Sequence, residues 1–142
     1  MAIQLSLIGG NVTKLSADEQ ARDEASVRAV HDAYFQALGS GDMDALAKQF
    51  TFPAAFKGFL DDVAIATDKD DLVATYEKLI AAAPKAARSN IHSVDFATLR
   101  PNVYMLTMNY EQFGPDDTLI HEGKAMYFVK KQADDYKLFA VF

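Results

Sequence analysis

At Pro84 the apolar residues of this chain change their spacing from a helical period of about 3.6 to a strand period of 2. Before Pro84, Val27, Val30, His31, Tyr34 and Leu38 recur at helical intervals and make one stripe. Met43, Leu46 and Phe50 belong to a short second segment, and Leu72, Val73, Tyr76, Leu79 and Ile80 form a third stripe. After Pro84, residues 91–99, 103–113, 118–130 and 136–142 alternate and are rich in Val, Tyr, Phe, Thr and Ile, as strands are. Helices first and an antiparallel meander afterwards is a segregated order, which selects the α+β class.

Local signals mark the ends of these segments. Ser16 followed by Glu19 is a capping box, and Asp18, Glu19, Asp23 and Glu24 set negative charge at the positive end of the first helix. The chain then reads ALGSGDMDAL: Gly39 is expected to end the first helix, and Asp42 to cap a second almost at once. Asp68 caps the third helix. Gly114-Pro115-Asp116-Asp117 and Gln132-Ala133-Asp134-Asp135 supply the turns between strands. FTFPAAFKGF, residues 50–59, reads as an extended piece that Pro53 confines to a sheet edge.

Residues 16–142 are expected to form a single domain, preceded by residues 1–15 as an N-terminal arm or edge strand in which Ile3, Leu5 and Leu7 alternate. The first basic residue is Lys14 and the apolar run before it is short, so no signal peptide is read. No stretch approaches the roughly 20 apolar residues of a membrane span. The net charge of -6, with Lys130-Lys131 the one adjacent basic pair, argues against nucleic acid as a partner. There is no cysteine, hence no thiolate nucleophile or disulfide, which suits a cytoplasmic location.

The order of elements, and above all AYFQALGSGDMDALAKQF at residues 33–50, resembles the nuclear transport factor 2-like superfamily. That superfamily includes ketosteroid isomerase, scytalone dehydratase and the polyketide-cyclase-like (SnoaL-type) proteins. The resemblance runs over roughly residues 20–142 and implies three helices packed on a curved antiparallel sheet that forms a cone-shaped pocket, a cystatin-like α+β fold. In such folds the break at Gly41-Asp42 lets the first helix cross the sheet while the second closes the narrow end. Tyr34, eight residues before Asp42, falls where ketosteroid isomerase carries its hydrogen-bonding tyrosine. The isomerase's general-base aspartate would fall near Gly58 and its second oxyanion-hole acid near Ala125, so its mechanism lacks both carboxyls in this chain.

With Gly114–Asp117 as the loop, Phe113 faces Thr118 and the register pairs Tyr110 with His121, Met108 with Gly123, Leu106 with Ala125 and Tyr104 with Tyr127. These residues share the face assigned to helices and cavity. Met105, Met126 and Phe128, among charges on the opposite, convex face, suggest a homodimer interface. A one-residue slip would swap the two faces. On the cavity face His121 and Tyr34 are the candidate catalytic groups: a histidine can act as acid or base near neutral pH, and a tyrosine can polarise a carbonyl. The alternative for each is a satisfied structural side chain. Tyr110, His31, Phe52, Phe56, Leu106, Met108 and Tyr127 are the candidate ligand-binding residues. His121 and Glu122 are adjacent on a strand and point to opposite faces, and Asp68-Lys69-Asp70-Asp71 lacks a calcium loop's glycine, so no metal and no cofactor are expected. Two function classes remain. One is a pocket for a small, largely apolar ligand, with proton-transfer chemistry of the isomerase, dehydratase or cyclase kind; the other is a non-catalytic ligand-binding or dimerisation module.

Overall fold

The computed structural model describes residues 15–142. The expectation for an N-terminal arm lies outside the described residues, Leu15 excepted. Helix α1 (Ala17–Ser40) starts at a complete capping box, in which Ser16 Oγ accepts from Glu19 N and the Glu19 carboxylate accepts from Ser16 N at 2.9 Å. It ends at Ser40, one residue beyond Gly39, with Gly41 as its cap. Gly41 takes the left-handed conformation (φ 72°) that lets its N–H reach back to the last carbonyls, which glycine does without steric penalty. Helix α2 (Met43–Ala47) follows at once, capped by Asp42 Oδ1 on Ala45 N at 3.0 Å. Strands β1 (Phe50–Phe56) and β2 (Ala64–Ala66) lead to α3 (Lys69–Ala82), capped by Asp68. Strands β3 (Arg88–Arg100), β4 (Val103–Phe113), β5 (Leu119–Gln132) and β6 (Asp135–Val141) complete the chain. No described helix is long and apolar enough to cross a membrane.

The six strands form one sheet in the order β2-β1-β6-β5-β4-β3, antiparallel except for β1 against β6. Segment 50–59 is therefore not confined to an edge. Strand β1 lies between β2 and β6, and Pro53 falls in a break in register between Phe50 and Ala55 where neither ladder uses its missing N–H. The apolar stripe of α1 (Val27, Val30, Tyr34 and Ala37) is buried against the concave face of β4–β6, and Leu46 of α2 and Leu72 and Tyr76 of α3 close over the remainder. Ile80, grouped by its spacing with the core face of α3, is 59% exposed and stands at a cavity mouth.

The β4–β5 register differs by two residues from the sequence expectation. Gly114 N bonds Thr118 O, so Phe113 pairs with Leu119, and Ile120 is then an extra residue before His121 meets Gln112. The loop and the bulge shift the pairing by one residue each. Tyr110 therefore faces Gly123, Met108 faces Ala125, Leu106 faces Tyr127 and Tyr104 faces Val129. Side chains alternate with a period of 2, so a shift of two leaves each of these residues on its expected face.

Candidate functional site

Across the concave face the sheet presents successive rungs from β3, β4 and β5. They run Phe96–Leu106–Tyr127, Val94–Met108–Ala125, Ile91–Tyr110–Gly123 and Ser89–Gln112–His121. Apolar rungs lie under α1 and the most polar rung lies at the open end. The small residues Gly123 and Ala125 leave a cavity of about 460 Å³ between the sheet, α1, α3 and the segment after β1. Its walls include Tyr34, Tyr76, Tyr110, His121, Phe59 and Leu79. A side lobe of about 200 Å³ continues toward β3 between Phe35, Met108, Gln112 and Tyr127, and shares Tyr34, Leu38, Tyr110 and Ala125 with the main cavity.

Gly123 is what lets the polar groups meet. The Tyr110 ring lies across it, where an added Cβ would come within 2.3 Å of the ring tip. From there the Tyr110 hydroxyl lies 3.4 Å from His121 Nε2, a long contact, with the ring centroids 5.7 Å apart. Phe59 closes on the other side of the imidazole, edge-on at 5.2 Å. Deeper in the cavity the Tyr76 hydroxyl lies 2.8 Å from that of Tyr34. Burial pushes the Tyr34 hydroxyl up to about 12, against the smaller opposing effect of the bond to Tyr76. Burial also raises Tyr76 well above its ordinary value and raises Tyr110 and Tyr127. All four therefore stay neutral near pH 7 and keep their protons as hydrogen-bond donors.

The structure thus brings Tyr34, Tyr110 and His121 to one cavity, with Met108 and Tyr127 in its side lobe. It does not bring the other sequence candidates there. Phe56 has no exposed surface and packs against Phe50 and Tyr76, one layer behind the wall, because β1 is an interior strand. Phe52 packs against the core from the same strand, and Leu106 is sealed in mid-sheet beneath α1. His31 is 6% exposed and wedged edge-on against Phe35 at 4.7 Å and Tyr127 at 4.5 Å, behind the cavity wall and not at its rim. Desolvation lowers its pKa to about 4, and its Nε2 has no hydrogen-bond partner.

Tyr76 is the residue that sequence reasoning missed. Its place on the apolar stripe of α3 reads as core, and the one available signal was a hydroxyl on a stripe otherwise aliphatic at Leu72 and Leu79. Gly58 and Ala125, the positions at which the isomerase would carry its carboxyls, both border the cavity and bring no acid to it. A second hollow, of about 610 Å³, opens at the opposite end of α1 around Asp23. There the Tyr136 hydroxyl donates to the Asp23 carboxylate at 2.6 Å, a satisfied pair that ties the helix to β6.

A family model described as "Putative lumazine-binding" matches residues 22–120, more than half of the chain. The chain belongs to this family. No curated protein sequence matches it. Among solved structures this lumazine-binding-family chain is similar to a protein of unknown function with a cystatin-like fold from Nostoc punctiforme, at 14% identity and a TM-score of 0.65, covering 91% of this chain and 92% of that one. It is similar to a nuclear transport factor 2-like protein of unknown function from Pseudomonas putida, at 10% identity and a TM-score of 0.65, covering 85% and 84%. A ketosteroid isomerase-like protein from Erwinia carotovora atroseptica superposes with a TM-score of 0.59 at 16% identity, covering 82% and 91%. At these identities the likeness is one of fold. The chain has the α+β fold of these nuclear transport factor 2-like and cystatin-like structures, with helices packed on a curved sheet.

Proposed function

We propose that the protein binds a small, flat, largely apolar ring compound and holds it by an acceptor oxygen, a carbonyl or hydroxyl, at the Tyr34–Tyr76 pair. The observation that carries this reading is the single 2.8 Å hydrogen bond between the two hydroxyls. Two hydroxyls bring two protons and that bond uses one. The second is free to be donated into the cavity that both residues line. Aromatic walls with a few convergent polar groups are the usual make-up of a small-molecule site. Lumazine, which gives the family its description, is a flat fused ring with carbonyl oxygens that such a pair of hydroxyls can bind, although its ring nitrogens make it more polar than the cavity's aromatic walls.

The test is a fluorescence titration with lumazine and with 2-acetylnaphthalene. We expect one of them to saturate in the micromolar range and Tyr34→Phe to weaken that binding by about 5- to 10-fold, the worth of one neutral hydrogen bond. If neither ligand saturates below a millimolar, or if Tyr34→Phe binds as the parent does, the reading is wrong. A second reading, proton transfer on the bound ring, is favoured by the Tyr110–His121 contact at the cavity mouth. It predicts that the protein speeds deuterium exchange at the carbon beside a bound ketone's carbonyl, and that His121→Phe abolishes this while leaving binding in place.

The convex face carries the second half of the proposal, a homodimer. Met105, Met126 and Phe128 are only half-buried there, and Phe128 clusters with Phe139 and Phe142 at about 6 Å. Sedimentation should give a dimer at micromolar concentration. Met126→Glu, which would bury an unpaired charge in the interface, should return monomers with an unchanged fold. A monomeric parent protein would remove the idea.

A further inference from the structure

The concave face of β4 changes character along its length. Tyr104, Leu106 and Met108 are buried under the helices, and Tyr110 and Gln112 follow at the open end. The side-chain oxygen of Gln112, Oε1, is sealed from water and has no hydrogen-bond partner. A buried acceptor without a donor has lost its hydration for nothing, so folded proteins nearly always satisfy one. His31 Nε2 shares this condition, but it lies behind the cavity wall, whereas Gln112 borders the side lobe. Around it the lobe is lined by Phe35, Leu38, Ile91 and Met108, with the Ser89 side chain opposite on β3. The lobe is not a separate pocket. It shares Tyr34, Leu38, Tyr110 and Ala125 with the main cavity, so one molecule can extend from the first space into the second.

We propose that the side lobe is a donor-reading subsite, and that the ring ligand carries a hydroxyl or N–H at the end that enters it. That group donates to Gln112 Oε1, while the ligand's acceptor oxygen at the other end takes a proton from the Tyr34–Tyr76 pair. The terminal torsion of a glutamine is broad, so its amide can turn the oxygen toward the lobe within one preferred side-chain conformation. The oxygen breaks no hydrogen bond in turning. Two ends of opposite hydrogen-bonding sense fix which way round the ligand lies. A compound with an apolar far end fills the same walls and leaves the Gln112 oxygen without a partner, which is how a site built around a polar atom rejects the analogue lacking its complement. The inference rests on the reading that the cavity takes a small ring ligand, and it specifies a second functional group on that ligand.

The experiment compares 6-acetyl-2-naphthol with its methyl ether, 2-acetyl-6-methoxynaphthalene, which keeps the ring and the carbonyl and has no O–H. Binding is followed on the whole protein by fluorescence, and the bound naphthol is located by NMR. We expect the naphthol to bind about 10-fold more tightly than the ether, and its ring protons to show contacts to the Gln112 side-chain amide. Gln112→Met, of similar length and without the acceptor, should erase the preference by weakening the naphthol alone. The same variant removes an unpartnered buried atom, so its urea midpoint should be no lower than the parent's. Should Gln112→Met not fold, the ligand pair and the NMR contacts decide alone. Equal affinity of naphthol and ether, a preference that survives Gln112→Met, or a bound ring without contacts to Gln112 overturns the proposal. If that happens while 2-acetylnaphthalene still depends on Tyr34, only the lobe is misread. A preference that needs Gln112, with no dependence of the ketone on Tyr34, keeps the lobe and discards the tyrosine pair. If neither naphthyl compound binds, the lobe proposal falls as well.

Discussion

Gly123→Val is expected to weaken binding at the candidate site sharply while leaving the fold standing. A Cβ at this position would lie 2.3 Å from Tyr110 Cζ, 2.4 Å from its hydroxyl and 2.8 Å from His121 Nε2. None of these distances can persist. The atoms in the way belong to the tip of the Tyr110 side chain and to the imidazole, both able to swing aside, and not to backbone. The strain is thus relieved by moving those two rings into the space that the main cavity and side lobe share. We expect a stability loss of about 1 kcal/mol, the low end of what overpacking costs. The fall in affinity should be on the order of 30-fold or more, corresponding to ~2 kcal/mol of lost contact. The measurements are a urea melt and the naphthyl ketone titration, run side by side. A variant that melts like the parent and also binds like it would show that Tyr110 does not line the occupied site.

Acidification from pH 7.5 to 4.5 is expected to destabilise the protein by on the order of 2–3 kcal/mol through His31 alone, and His31→Leu should remove that loss. In the unfolded chain this imidazole takes a proton near its ordinary value of 6.5, whereas in the folded protein burial delays it to about 4. The nearby Asp32 carboxylate pulls the other way without overcoming burial. Between those two values the unfolded state holds more protons than the native one, so stability drops as pH falls. Above pH 6.5 the group is neutral in both states and contributes no slope, and below about 4 both are protonated and the slope ends. Asp44, Asp71 and Asp116, held below the usual carboxylate range mainly by hydrogen bonds from Lys69, Thr67 and Thr118, add their own losses only at lower pH. Leucine at position 31 also removes the unpartnered Nε2 from the packing between Phe35 and Tyr127. Parent and variant losing equal stability over this range would mean that water reaches His31 in the folded protein.

The periodicities and caps are local, so they were legible in the sequence. Ser16 with Glu19, Asp42 and Asp68 each act on backbone groups within three residues, and each cap forms as its residues require. Alternation along β4 and β5 likewise places Tyr110 and His121 on one face whatever their exact partners. A loop one residue longer than expected plus one bulged residue moves the register by two, and an even shift changes neighbours without changing faces. Tyr34 reaches the same cavity because it lies on the buried stripe that must cover that face. What the tertiary structure alone decided is depth and partnership. Whether Phe56 and Leu106 line a cavity or a core depends on which distant strand or helix covers them, and the parallel pairing of β1 with β6 is not written in either segment. The Tyr34–Tyr76 hydrogen bond joins residues 42 positions apart. Such contacts are settled by how whole layers pack, a non-local balance that no short window of sequence contains.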